Sequence, residues 1–600
     1  MNAIAILDNG GQFTHLIANT LRNTVHVRAD IFEPDVDVGV VKDYRGIILS
    51  GGPASIYDKA APPFNEKIFD IDIPILGLCY GHHLMARHYG ANVQLGKVKE
   101  YGYANLNLNL DADLSGLFLG LETQEQVWMS HGDTVTTVPD GFEVLGSTSD
   151  CFIAVMSNPA KKRYGFQFHP EVSDTINGRY MLENFVTKIC GCKQDWTMNN
   201  YIPIKIKALK EQIGDRQVLI LVSGGVDSTV CAALLAKVVD PSKLFAIHID
   251  NGLMRHDESL GVIKTLKEFG VKNVKLVDAA DEFVGALKGI THPEEKRKII
   301  GNMFITVSNR EAEALNLSNW LLAQGTIYPD TIESGGTKHA DVIKTHHNRV
   351  EIIQKMIAEG KIVEPISDLY KVEVRELGIA LGIPKDMVGR HPFPGPGLGI
   401  RVLCSDGTSD DVSAIEKEAR AKLPQDLDIK VLPVKSVGVK GDARSYEHPA
   451  LLIPRSDIVT PAQIKRVGTI LANSVKGINR VVMLVAPEKI ESIKLEKAYV
   501  TKERLDKVRE ADHIIMEGLR SHKLYDKIWQ CPIVLLPLLV NGGEFVLMRP
   551  IHSDRAMTAE AATPEKGFID DMRIKIMGIK GIGGFGIDLT NKPPGTIEWE

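Results

Sequence analysis

The chain has little cysteine: seven in 600 residues, at positions 79, 151, 190, 192, 231, 404 and 531. An odd count at scattered spacing excludes the disulfide framework of a small secreted domain. Only Cys190-Gly191-Cys192 forms a close pair. No second pair completes a zinc or redox site, so it reads as small buried residues at a helix end. Long apolar runs are also missing. Nothing approaches the ~18 consecutive apolar residues of a membrane span, so no membrane role is expected. Met1–Asp8 lacks the basic start and cleavage site of a signal peptide and reads as an apolar strand. The cytoplasm is therefore the expected compartment. Positive charge is not in excess: 70 Lys and Arg stand against 76 Asp and Glu, a net −6. That argues against a nucleic-acid partner held by bulk basicity, and leaves room for a small anion in a local basic pocket.

What is present suits large globular protein, with 44% hydrophobic and 24% charged residues. At ~100–200 residues per domain, three to five domains are expected. Three blocks separate in an α/β multidomain chain. Residues 1–192 alternate helical stretches with the apolar runs Ala3–Leu7, Gly46–Leu49, Ile73–Leu78 and Tyr164–Phe168. Runs of that length fit buried parallel strands. The polar stretch Lys193–Asn200 reads as a linker. Residues 200–392 open with a helix over Ile204–Ile213. Strands are expected at Val218–Val222, Leu244–Ile249, Val274–Val277 and Trp320–Ala323, a doubly wound parallel sheet. The prolines and glycines from Arg390 to Gly397 exclude helix and central strand. Residues 393–600 follow and carry a weak repeat. Lys476-Gly477-Ile478 precedes Val481–Val485 as Lys580-Gly581-Ile582 precedes Gly586–Leu589. Two α+β subdomains in tandem are expected there.

Chemistry concentrates at two strings. In the first, an apolar strand enters Gly77-Leu78-Cys79-Tyr80-Gly81 and a helix leaves it, the spacing of a nucleophile elbow with sulfur in place of oxygen. A helix N-terminus favours the attacking thiolate. Downstream, His169-Pro170-Glu171 follows a strand. His169 can move the proton and Glu171 can orient the imidazole, the logic of a triad. The loop Ser50-Gly51-Gly52-Pro53 offers bare amides for an oxyanion hole.

In the second string, Val218–Val222 runs into Ser223-Gly224-Gly225-Val226-Asp227-Ser228-Thr229 and then a helix. Backbone amides, the helix N-terminus and three hydroxyls make an anion site. Asp227 can hold Mg²⁺. The Gly-Lys-Ser/Thr ending of a Walker A loop is missing. Gly581, Gly583 and Gly586 fit a dinucleotide fingerprint, but too little chain follows for a βαβ unit, so the run reads as a turn.

The first block resembles the class I glutamine amidotransferases, whose other landmarks are matched by Asp8–Gln12 and Trp128–Asp133. The resemblance implies a flavodoxin-like fold and glutamine hydrolysis through a thioester on Cys79. It implies Gly52 and Tyr80 amides as oxyanion donors, and glutamine against Ser130–Asp133. Where that family usually has Gln four residues after the nucleophile, this chain has His83. The second string resembles the N-type ATP pyrophosphatase loop. Asp250–Arg255, Leu322–Asp330, Lys344–Asn348, His391–Gly397 and Lys592–Glu600 are similar to the GMP synthetase family. That implies ATP and Mg²⁺, adenylation of the O2 of XMP, and displacement of AMP by ammonia to give GMP. Lys344 is then expected at the β/γ phosphates. A purine monophosphate dianion needs cations and fixed donors, a task Lys592 and Thr596 suit. By family position Arg297, Asp442, Gln530 and Glu598 complete the XMP site. Further departures are Asn302 in place of Asp, and Asn348-Arg349-Val350 in place of a glycine pair.

Two other readings stay open on the residues. One is an amidating ligase with a carboxylate acceptor; the other is a binding protein on an inactive amidotransferase scaffold. Oligomeric state is open too, a homodimer among the options.

Overall fold

The computed structural model of the chain describes residues 1–58, 61–315, 320–328, 359–440, 443–455, 459–553 and 558–600. It divides into two compact units. Among the described residues, one comprises 1–208, 326–328 and 367–380, and the other 209–325, 359–366 and 381–600.

The first unit is built on β1 (Ala3–Leu7), β2 (Arg28–Phe32), β3 (Gly46–Leu49), β4 (Ile75–Leu78), β5 (Val93–Leu108), β6 (Gln124–Val135), β7 (Glu143–Ser147), β8 (Val155–Asn158) and β9 (Arg163–Phe166). The sheet order is β2-β1-β3-β4-β9-β8-β7-β5-β6. The first five strands are parallel, with Ile4 beside Gly46, Ile47 beside Ile75 and Ile75 beside Arg163. Their order is the flavodoxin-like one, which puts ligands at the C-terminal strand ends. β1, β3, β4 and β9 are buried along their whole length. That burial is why these strands read as continuous apolar runs. The antiparallel pair β5 and β6 alternates polar with apolar residues and escapes that signal.

The polar stretch Lys193–Asn200 is not a free linker. Trp196 is buried, its indole N–H donating to Glu373 Oε1 at 2.8 Å, and the following helix already starts at Met198. Glu373 also pairs with buried Arg22 at 3.6 Å. A single large aromatic ring among polar neighbours was enough to anchor the segment.

The second unit holds β10 (Gln217–Leu221), β11 (Leu244–Asp250), β12 (Asn273–Asp278), β13 (Trp320–Ala323) and β14 (Ile362–Val363). They form a parallel sheet ordered β12-β11-β10-β13-β14. Chain order reverses between β10 and β13, the crevice where such sheets bind ligands.

The same unit continues into β15 (Leu427–Val431), β16 (Ser436–Lys440), β17 (Ala443–Pro454), β18 (Ile478–Ala486), β19 (Ile493–Leu495), β20 (Ile533–Val540), β21 (Gly543–Met548), the ribbon β22 (Ile551–His552) and β23 (Glu560–Ala561), and β24 (Ile582–Asp588). The two halves of this region share a strand topology. β15 and β17 are antiparallel and β17 and β18 parallel; β20 and β21 are antiparallel and β21 and β24 parallel. A helix precedes the third strand of each set, Pro461–Ser474 and Lys566–Met577. The halves fuse into one sheet because β18 pairs antiparallel with β24. Gly581 turns the chain at φ +87°, and a Cβ on Gly583 would lie 2.0 Å from Val540 O. Only Gly581 is thus at a turn; Gly583 and Gly586, read from sequence as part of that turn, lie in β24, where glycine allows a close strand approach.

Candidate active sites

Four parallel strands of the first unit hand their C-terminal ends to one site. β4 ends at Cys79, whose amide donates to Phe166 O at 2.7 Å and whose φ of 48° swings the chain into the helix Tyr80–His88. β3 ends at Ser50–Gly52. A Cβ on Gly51 would lie 2.9 Å from His169 Cε1 and 3.7 Å from Cys79 Cβ. Gly51 therefore passes between nucleophile and base where no side chain fits. Gly52 adjoins Tyr80, a Cβ there being 3.3 Å from Tyr80 Cγ. The Tyr80 amide opens the helix and has no intrahelical acceptor. β1 delivers Asn9, whose Nδ2 donates to Ser50 O at 2.8 Å and braces the loop.

β9 leads to Gln167 and His169. The His169 Nδ1–H donates to Glu171 Oε1 at 2.8 Å, which leaves Nε2 for the sulfur. Burial alone would depress this imidazole; Glu171, with Cys79 beside it, raises it to about 10. Phe13 lies edge-on to His169 at 5.2 Å. The Cys79 thiol reaches Ser130 O at 3.6 Å. Ser130–Asp133 is part of β6 and not a loop, and His131 braces it, with Nδ1 2.8 Å from Asp133 O and Nε2 3.0 Å from Glu100 Oε2. Cys151 joins Glu100 and His131 within 4.8 Å. The hydroxyls of Thr148 and Thr134 already bond Glu100 and Cys151, so the group works as a brace. The five residues expected from sequence, Cys79, His169, Glu171, Gly52 and Tyr80, thus lie around one point. Gln167 was missed, although it stands two residues before His169; its Nε2 is 3.9 Å from Cys79 Sγ and its Oε1 is 2.8 Å from His83 Nε2.

In the second unit, β10 ends at the loop Ser223–Thr229 at the topological switch point. Gly224 has φ +85°, and the helix Val226–Leu235 begins without a side-chain cap. An uncapped helix N-terminus of this kind suits an anion. Ser223 Oγ lies 3.2 Å from Ser228 Oγ, and Thr229 Oγ1 donates to Gly225 O at 2.9 Å. Ser223 and Gly225 are exposed and Asp227 is half-buried. Gly325, at the end of β13, comes so close that a Cβ would lie 3.2 Å from Ser228 N. Carboxylate and hydroxyl oxygens are the donor set a hard cation such as Mg²⁺ prefers. Lys344 lies outside the described residues.

The tail Lys592–Glu600 folds back onto the edge of the C-terminal sheet at β16 and onto the helix Pro293–Ala314. Gln530 Nε2 donates to Pro392 O at 3.0 Å and Glu598 Oε1 at 3.2 Å. Arg297 donates to Glu600 O, Thr596 Oγ1 donates to Val437 O at 2.9 Å, and Lys592 N pairs with Ala559 O at 2.7 Å. Gln530, Glu598, Thr596 and Arg297 are thus linked through the tail; Asp442 lies outside the described residues. Sequence reading missed the buried arginines beneath them. Arg401 holds Glu598 at 3.0 Å, and Phe393 lies 5.0 Å from its guanidinium and 4.5 Å from that of Arg255. Arg480 donates to the carbonyls of Thr596 and Glu598 at 3.0 and 2.8 Å, and shares Asp588 with Arg549. Burial, then the neighbouring Arg549, pushes Arg480 down to about 9 against the pull of Asp588.

Residues 5–189 match the family model described as glutamine amidotransferase class-I, 206–305 that of asparagine synthase and 517–599 that of the GMP synthase C terminal domain. The last covers only the second half of the repeat. A probable glutamine-hydrolysing GMP synthase of Leptospira interrogans serovar copenhageni is 43% identical, over 100% of this chain and 99% of that protein. A glutamine-hydrolysing GMP synthase of Neisseria meningitidis serogroup B is 43% identical, over 82% of this chain and 99% of that protein. Among solved structures, a GMP synthase subunit protein from Thermoplasma acidophilum is 30% identical over 34% of this chain and 96% of its own, at a TM-score of 0.29. Fold and sites define an amidotransferase joined to its own ATP-using synthetase. The chain belongs to the family of glutamine-hydrolysing GMP synthases. It is a ligase of GMP biosynthesis that takes glutamine, XMP and ATP. Among the described residues no helix is long and apolar enough to cross a membrane.

Proposed function

We propose that Cys79 frees ammonia from glutamine and that the loop Ser223–Thr229 holds the pyrophosphate of the ATP that activates XMP. The observation that carries this is the meeting of Cys79, the Gly52 loop and the His169–Glu171 pair at four C-terminal strand ends of one sheet. The Cys79 sulfur attacks the carboxamide carbon, and the Gly52 and Tyr80 amides receive the oxyanion. His169 hands its proton to the departing ammonia, and water then cleaves the thioester to glutamate, with Glu171 orienting the imidazole throughout.

In the synthetase, the O2 of XMP attacks the α-phosphorus of ATP and pyrophosphate leaves into the amides of Gly224, Gly225 and Val226 and the hydroxyls of Ser223, Ser228 and Thr229. Lys344 reaches the β/γ phosphates. Asp227 would hold Mg²⁺, whose charge offsets that of the leaving pyrophosphate. Ammonia then attacks C2 and displaces AMP. Arg297, Asp442, Gln530, Lys592, Thr596 and Glu598 hold XMP, with Arg401 and Arg480 fixing the last two. The working division is 1–192 amidotransferase, 200–392 pyrophosphatase and 393–600 nucleotide-site and dimerisation region, acting in the cytoplasm. Static light scattering decides whether two chains pair as a homodimer.

The chemistry is tested by its nucleotide products. With XMP, Mg·ATP and glutamine, AMP and pyrophosphate are expected in step with GMP. Release of ADP and phosphate would end the pyrophosphatase assignment.

A further inference from the structure

We propose that His83 is a positioning residue for glutamine cleavage, and that it acts by fixing which end of the Gln167 carboxamide faces the Cys79 sulfur. The inference rests on reading Cys79 as the nucleophile. His83 lies one helical turn beyond Cys79, its amide donating to Cys79 O at 3.1 Å, so both side chains leave the same helix face. Gln167 is 0% and His83 4% exposed, so neither amide end can turn to bulk water for a partner.

A carboxamide is nearly symmetric in shape but not in charge. Its N–H toward the sulfur stabilises a thiolate; its oxygen in that place repels one. The side chain alone has little reason to choose. His83 supplies the choice as its Nε2–H tautomer, because Nε2 sits 2.8 Å from Gln167 Oε1 and a carbonyl oxygen only accepts. Burial pushes the His83 imidazole down to about 4, with the Gln167 bond opposing, so the ring carries one proton at neutral pH. With Oε1 committed to His83, Gln167 Nε2–H points at Sγ, 3.9 Å away. Because Gln167 touches the sulfur, the effect belongs to the reactivity of Cys79 and not to the affinity for glutamine.

The test uses the full chain and the variants H83L, H83Q and Q167E. Three quantities are measured: the rate of Cys79 alkylation by iodoacetamide at pH 7, kcat and KM for glutamine, and ammonium-driven GMP formation. H83L is expected to slow alkylation and glutamine kcat by about tenfold with KM changed less than about twofold. H83Q, whose carboxamide can offer Gln167 either an N–H or an oxygen, is expected to recover both in part. Q167E, with oxygen at both ends, is expected to slow alkylation by at least about tenfold. A raised KM with unchanged alkylation in H83L would overturn the proposal and make His83 a glutamine contact. So would an H83Q that behaves like H83L. If H83L also loses ammonium-driven synthesis, Q167E decides: unchanged alkylation there overturns the proposal. Glutamine cleavage that survives complete Cys79 alkylation would instead remove the nucleophile assignment.

Discussion

At Cys79 the backbone holds φ 48° and ψ −101°, a region a non-glycine residue occupies only when its surroundings fix it, at a cost of about 1–3 kcal/mol. The Phe166 and Gly81 hydrogen bonds do the fixing, through Cys79 N and through Gly81 N to Ser50 O. The other cysteines are a different kind of residue. Burial pushes Cys151 and Cys192 up to about 11 and Cys531 up to about 12, which keeps them as inert thiols. His83 gives a pH prediction at this scale. Its folded-state value of about 4 lies below the ordinary 6.5. The unfolded chain therefore binds the extra proton first, and the stability this group contributes is complete above pH 6.5 and lost as pH falls toward 4. Wild type is expected to lose on the order of 1 kcal/mol or more relative to H83Q between pH 6.5 and 4, read by urea unfolding. Parallel curves for the two proteins would contradict this. Cys79, His169 and Glu171 were legible because each follows an apolar strand in a recognisable order. Gln167 was not, because nothing in a lone Gln shows that two partners will meet it.

Among the elements, the C-terminal tail depends most on contacts far away in sequence. Trp599 is 0% exposed, its indole N–H donating to Asp588 Oδ2 at 2.8 Å, and Arg480 lies over its ring at 5.1 Å. Strand β24 thus supplies the carboxylate that ties down the arginines and the tail together. W599A is expected to destabilise the second unit by about 3–5 kcal/mol and to raise the KM for XMP, while glutamine cleavage persists. Denaturant unfolding and an XMP titration check it; an unchanged KM would detach the tail from the XMP site. The tail residues Lys592, Thr596 and Glu598 could be read from sequence because charge and rigid prolines crowd together there. Arg401, Arg480 and Arg549 could not, since an arginine among apolar sequence neighbours looks the same whether it is buried or snorkels to solvent. Eight parallel strands were legible to within two residues at their ends, while β2 and β14 were not expected at all. β5 and β6 were not, because Glu100, Asn105 and Asn107 interrupt the apolar pattern of β5.

For the whole molecule, block order was legible from motifs, but compactness cuts the chain differently. Ser367–Ala380 belongs to the first unit, where Tyr370 O–H donates to His15 O at 3.1 Å and Arg22 lies between Trp196 and Tyr370 at 5.3 and 5.9 Å. Such pairings join residues hundreds of positions apart, and no local pattern announces them. The segment around Tyr370 follows β14 directly in the chain yet belongs to the other compact unit. Because hydrolysis ahead of XMP activation wastes glutamine, its cleavage is expected to be slow without nucleotides and to rise when ATP and XMP are both added, measured as glutamate release. A full rate without nucleotides would contradict that dependence. The most direct measurement of the two-site account compares wild type with C79A for GMP formation driven by glutamine and by ammonium. The account predicts that C79A makes no GMP from glutamine and keeps the ammonium-driven rate within about twofold of wild type. Loss of both activities, or glutamine-driven synthesis without Cys79, would contradict it.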